Sequence, residues 1–129
     1  MGTCEVRHTR HYQASPEEVW AALTEPASLA RWLAPAREID LREGGPFELQ
    51  LNERRTMKGR VRMAEPSRLL ELDWADGSEQ PSIVRFQLSA DGGGTTLVLD
   101  HRRIEARVGM EYIARWQHHL DRLEAVVAP

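Results

Sequence analysis

What most limits how this chain can fold is the order of its hydrophobic patterns. A strand-like opening comes first, then two short helices, a long run of period-two segments, and one amphipathic helix. The last helix is read over roughly Val108 to Val127 from Ile113, Trp116, Leu120, Leu123 and Val127. Their spacing of three and four makes one apolar stripe. The period-two run extends from Ala36 to Ile104, with short polar or glycine-bearing turns. Short connections pair neighbouring strands as an antiparallel meander. One apolar face per strand requires a cover, and the final helix is the element available to supply it.

The opening strand is read over Cys4 to Tyr12, with Val6 and Tyr12 on one side. Ser15 and Glu18 form a capping box, and Pro16 takes the first helical position. Val19, Trp20 and Leu23 give that helix its expected buried face. Pro26 starts a second short helix through Leu29, Trp32 and Leu33, closed by Pro35. In the strands, Phe47, Leu49 and Leu51 share a side, as do Met57, Gly59, Val61 and Met63. Leu70, Leu72 and Trp74 follow, then Val84, Phe86 and Leu88, then Thr95, Leu97, Leu99 and His101. Asp76, Gly77 and Ser78 read as a loop, and Ala128 and Pro129 as a frayed end.

At 129 residues the chain is expected to form one domain, 1–129. Folding at this size buries roughly two-thirds of the extended chain's surface, enough for a core without staples. A net charge of −3 offers no bulk attraction to nucleic acid or to an anionic membrane. Cys4 is the sole cysteine, which excludes an internal disulfide and suits a reducing cytoplasm. No charged-then-apolar leader and no long apolar run is present, so membrane insertion is not expected.

Several segments together resemble the START-like (SRPBCC) superfamily, and within it the family named for homology to the activator of the heat-shock protein 90 ATPase. They are Ala14-Ser15-Pro16-Glu17-Glu18-Val19-Trp20-Ala21-Ala22-Leu23-Thr24, Leu29-Ala30-Arg31-Trp32 with Pro35, and Gly44-Gly45 with Phe47. Gly94-Thr95-Thr96-Leu97-Val98-Leu99-Asp100-His101 and Trp116-Gln117-His118-His119-Leu120-Asp121-Arg122-Leu123 complete the set. The resemblance implies an α+β helix-grip (Bet v-type) fold in the order β-α-α-β-β-β-β-β-α. A curved antiparallel sheet would wrap around a long C-terminal helix. Two departures bear on the cavity mouth: Leu33 and Ala34 stand where the family often has a further aromatic, and Arg115 where it usually has glycine.

The resemblance implies a cavity between sheet and final helix that holds a small hydrophobic or amphipathic molecule. Trp32, Met57, Met63, Trp74, His101, Tyr112, Trp116 and Leu120 are the expected lining, with Met110 as a further flexible candidate. His101 shares parity with Leu97 and Leu99, so it should point inward. There it would be a structural histidine, a polar group on the ligand, or the base of a cyclase- or dehydratase-like enzyme. Glu65 and Arg85 are the other polar residues of interest, neither with a partner that the pattern identifies. The chain shows no nucleophile elbow, phosphate cradle or cofactor motif, so binding is favoured over catalysis.

No metal site is expected. His8 and His11 point to opposite faces of a strand, and the adjacent His118 and His119 diverge on a helix. A third reading is a protein-interaction module, with a heat-shock protein 90 homologue or a second copy of the chain as partner. On this resemblance 129 residues hold only the homologous domain, without the partner-binding N-terminal domain of the eukaryotic activator.

Overall fold

A computed structural model of the protein describes residues 2–76 and 80–127. Most of the loop read at 76–78 and the frayed end at 128–129 lie outside them. The chain runs β1 (Thr3–Tyr12), α1 (Pro16–Thr24), α2 (Pro26–Trp32), β2 (Ala36–Ile39), β3 (Pro46–Gln50), β4 (Thr56–Glu65), β5 (Leu69–Trp74), β6 (Ser82–Asp91), β7 (Gly94–Glu105) and α3 (Gly109–Val127). A single 3-10 turn, Ala106–Val108, leads into α3. This is the expected helix-grip order, drawn out by the short strand β2, so that six strands rather than five separate the helical pair from α3.

The strands form one antiparallel sheet in the order β1-β7-β6-β5-β4-β3-β2. Only β1 leaves sequence order, because α1 and α2 intervene and return the chain to the far edge. Register breaks between Cys4 and Val6, Ala36 and Glu38, and Val61 and Met63. Such bulges bend a sheet and increase its twist, which lets its inner face wrap the helices.

Local chemistry explains the helical pair. The Glu18 amide donates to Ser15 Oγ at 3.1 Å, and the Ser15 amide donates to Glu18 Oε1 at 3.2 Å, the reciprocal cap read from the sequence. Glu25, held extended, ends α1 and begins α2, with Pro26 at the first helical position. The Trp32 indole donates to the Ala22 carbonyl at 2.7 Å and locks α2 against α1. Farther along, the Tyr12 hydroxyl donates to the Leu120 carbonyl at 3.0 Å, tying β1 to the middle of α3.

Four expectations are corrected. Met63 was placed on the inner face with Met57, but the bulge after Val61 inserts one residue, and a one-residue shift turns a side chain to the opposite face. Met63 is therefore exposed while Met57 is fully buried. Ile113 was assigned to the apolar stripe of α3. The buried stripe is Tyr112, Trp116, Leu120, Leu123 and Val127, and Ile113 sits one residue round the helix, 46% exposed. Trp20 is only half-buried; Val19, Ala22 and Leu23 carry the inner face of α1. Met110, offered as a further lining residue, is exposed.

The outer face of the sheet explains Arg85. It stands directly opposite Glu71 across the β5–β6 pair. The Glu71 carboxylate, buried on that face, meets guanidinium groups of Arg62, Arg85 and Arg102 at 3.1, 3.2 and 3.4 Å. Arg85 thus lies on the outer face, in alternation with buried Val84 and Phe86. Among the described residues, Glu65 forms an ion pair with Arg68 alone, at 3.5 Å on the surface.

Candidate functional site

The antiparallel path brings the β3–β4 turn, the end of β5 and the start of α3 to one end of the sheet. The chain leaving α2 passes the same end. A cleft of about 280 Å³ opens there, lined by Leu33, Leu51, Asn52, Arg55, Trp74, Tyr112, Arg115, Trp116, His118 and His119. Elsewhere beneath α3 the space is filled: Leu120, Leu123, Leu97, Leu99 and Val84 are all fully buried and packed together. The cleft is therefore confined to the mouth of the grip.

Aromatic rings form its wall. Trp74 and Trp116 lie with ring centroids 5.4 Å apart, and Phe86 backs Trp116 edge-on at 5.9 Å. The first pair is tilted by 59° and the second is edge-to-face, and neither is the face-to-face sandwich that the ring quadrupoles disfavour. Leu33 and Leu51 add apolar surface.

The rim is polar. Asp76, with its side chain wholly buried, accepts from the Tyr112 hydroxyl at 3.1 Å through Oδ2. Arg55 Nη1 and Arg115 Nη1 each stand 3.7 Å from that same oxygen. The Arg115 guanidinium carbon also lies 5.2 Å from the centroid of the Tyr112 ring, in cation–π contact. Among the described residues, neither Oδ1 of Asp76 nor the Trp74 indole nitrogen, both buried, has a hydrogen-bond partner. His119 donates from Nδ1 to the Trp32 carbonyl at 3.2 Å, since a carbonyl can only accept. Burial lowers its pKa below the ordinary histidine value. The rings of His118 and His119 lie 5.7 Å apart and both reach the cleft, so they diverge less than their adjacency suggests.

His101 points inward, but behind the wall. The Trp116 indole N–H donates to its Nδ1 at 2.9 Å. An indole nitrogen cannot accept, so Nδ1 holds a lone pair and the neutral ring carries its proton on Nε2. That proton goes to Ser82 Oγ, 2.6 Å away, and Ser82 in turn faces the Trp74 carbonyl at 3.4 Å. Burial pushes the His101 pKa down to about 3. Both ring nitrogens are engaged within the fold, and this tautomer cannot withdraw the Ser82 proton.

Of the eight residues expected to line a cavity, Trp74, Tyr112 and Trp116 meet at the cleft. Trp32, Met57, His101 and Leu120 are buried in the surrounding core, and Met63 is on the outer surface. Leu33, Leu51, Asn52, Arg55, Arg115, His118 and His119 were not read as lining. Arg115 carried a signal, since a charged residue stands beside Trp116, the buried tryptophan of α3. Among the described residues, no three His, Cys, Asp or Glu side chains cluster as metal ligands. No helix among them is long and apolar enough to cross a membrane.

Comparison with known proteins places this geometry in context. CalU16 from Micromonospora echinospora is 33% identical, and the match covers 96% of this chain and 74% of that one with a TM-score of 0.86. The protein CV1439 from Chromobacterium violaceum is 25% identical over 97% of both chains, with a TM-score of 0.85. The Aha1 dimer from Colwellia psychrerythraea, at 18% identity and a TM-score of 0.85 over 96% of both chains, shares the fold. No curated protein matches the sequence. The family model of activator of Hsp90 ATPase homolog 1-like proteins matches residues 13–128. With that span matched and the START-like helix grip in place around α3, the chain belongs to the family of activator of Hsp90 ATPase homolog 1-like proteins.

Proposed function

We propose that this protein binds a small hydrophobic or amphipathic molecule at the mouth of the grip, between the sheet and the first half of α3. The observation that carries this reading is the 280 Å³ cleft, walled by Trp74 and Trp116 and edged by polar side chains. That volume lies near the lower end for small-molecule sites, and a mostly apolar wall with a few polar groups is their usual make-up. The cyclase- or dehydratase-like alternative has weaker support, because its candidate base, His101, is occupied on both nitrogens.

The test is a thermal-shift and native mass spectrometry screen with lipids, aromatic polyketides and flavonoids, read beside quenching of tryptophan fluorescence. A ligand at about 100 times its Kd should stabilise the fold by about 2.7 kcal/mol. Leu51→Trp, which fills the cleft from a partly exposed position, should abolish both the shift and the quenching. A screen in which no compound moves the melting temperature would end this reading.

A second reading, a protein-interaction module, is favoured by Met110 and Ile113. These are large apolar side chains three apart on the exposed side of α3, 84% and 46% exposed. The partner would be a second copy of this chain or a heat-shock protein 90 homologue. Analytical ultracentrifugation and pull-down with ATPase measurement test it. A monomer that neither binds the chaperone nor alters its ATPase counts against it.

A further inference from the structure

We propose that the cleft takes a molecule bearing a hydroxyl group, which donates a hydrogen bond to Nε2 of His119. This rests on the reading of the cleft as a binding site. It adds the polar group that the ligand carries and the residue that receives it. His119 reaches the cleft from α3, where Tyr112, Trp116 and His119 follow one another at helical spacing along one side. The rings of Trp116 and His119 lie 5.8 Å apart, edge to face. A hydroxyl held on His119 therefore leaves the rest of its molecule beside the tryptophan wall.

The tautomer of this ring is fixed from outside the cleft. Nδ1 stands 3.2 Å from the Trp32 carbonyl, which can only accept, so Nδ1 carries the proton. Burial lowers the pKa below the ordinary histidine value, so the ring is mainly neutral at pH 7. A neutral imidazole protonated on Nδ1 keeps its lone pair on Nε2. Among the described residues, no donor meets that lone pair. The other polar side chains of the cleft donate or are engaged. Arg55, Arg115 and the indoles of Trp74 and Trp116 only donate. Asn52 Oδ1 already accepts from the Arg54 and Arg55 amides at 2.8 and 3.0 Å. The Tyr112 hydroxyl gives its proton to Asp76. His118 is exposed, and no hydrogen bond to a described residue fixes its ring. His119 is thus the acceptor that the fold orients in advance, and a bond to it needs no rearrangement of the ring.

The experiment compares 2-naphthol with 2-methoxynaphthalene, and 1-octanol with 1-methoxyoctane, on the wild-type protein. Each ether keeps the oxygen and lacks the proton. Calorimetry at pH 7.5 measures the affinities. An alcohol that binds should do so about fivefold tighter than its ether, the ratio for one hydrogen bond of ordinary net strength. The preference should vanish in His119→Phe, which keeps a flat ring without the lone pair, and persist in His118→Phe. Circular dichroism checks that both variants are folded. Nitrogen-15 NMR of the wild-type histidine rings decides the matter even where one is not. His119 should show an unprotonated Nε2 whose resonance moves upfield with 2-naphthol and not with 2-methoxynaphthalene. A proton on Nε2, or equal binding of alcohol and ether, overturns the assignment but leaves the cleft as a site. So does a preference that survives in folded His119→Phe or is lost in folded His118→Phe. Binding of none of the four compounds removes the proposed function and this inference together.

Discussion

Trp116 donates its indole N–H to Nδ1 of His101 at 2.9 Å, so the last helix and the last strand share one buried polar bond. Through Ser82 the chain of bonds reaches the end of β5 at the Trp74 carbonyl. Trp116→Phe keeps most of the ring packing but strands the His101 lone pair in the core. A buried acceptor without its partner costs roughly 1–3 kcal/mol. Chemical denaturation should show that loss, and an unchanged midpoint would mean the bond contributes nothing.

Acid should weaken the fold through His101. Its pKa falls from 6.5 to about 3 on burial, so the unfolded chain takes up a proton that the folded protein refuses. Above pH 6.5 the group adds no pH dependence. Below it, stability falls by up to about 1.4 kcal/mol per pH unit until the folded-state pKa is reached. His119, also lowered by burial, acts in the same direction. His101→Gln should be less stable at neutral pH, with a shallower decline in acid. Denaturation midpoints measured from pH 7.5 to 4 check this, and parallel curves for the two proteins would refute the assignment.

Met57 and Met63 separate the inner from the outer face of β4. Met57→Ala empties a fully buried site and should cost about 2–5 kcal/mol. Met63→Ala, at an exposed position beyond the bulge, should change stability by no more than about 0.5 kcal/mol. Thermal melts of the two variants test the register directly, because comparable losses would place both side chains inside.

Gly59 is needed in β4 for want of space. A Cβ there would come within 2.6 Å of the Asp73 carbonyl oxygen and 2.8 Å of that of Phe47, on the two flanking strands. Both obstacles are backbone, so neither can swing aside. Gly59→Ala should destabilise the protein by roughly 1–3 kcal/mol or prevent soluble expression. A wild-type melting temperature would show that the strands can spread at no cost.

Much of the fold was legible because its signals are local. The Ser15–Glu18 cap, Pro16 and Pro26 place the helical pair within a few residues. Period two across Phe47–Leu51 and Leu70–Trp74 names the inner face, and short turns dictate the meander. Local pattern failed where geometry shifts by one residue. The bulge after Val61 reverses Met63, and about 100° of helical rotation separates buried Tyr112 from exposed Ile113. No composition rule reports either event.

The site was harder to read because it belongs to no single segment. Leu33, Leu51, Arg55, Trp74 and Arg115 are far apart in the chain and meet only because alternate turns of an antiparallel sheet share an end. The sequence by itself determined the class of fold, the order of its elements and the inward direction of His101, since each follows from periodicity and capping within one element. Tertiary structure alone decided that His101 would be sealed between Trp116 and Ser82, and that arginines would edge the cleft. Those outcomes depend on distances between elements, which packing of the sheet against α3 establishes.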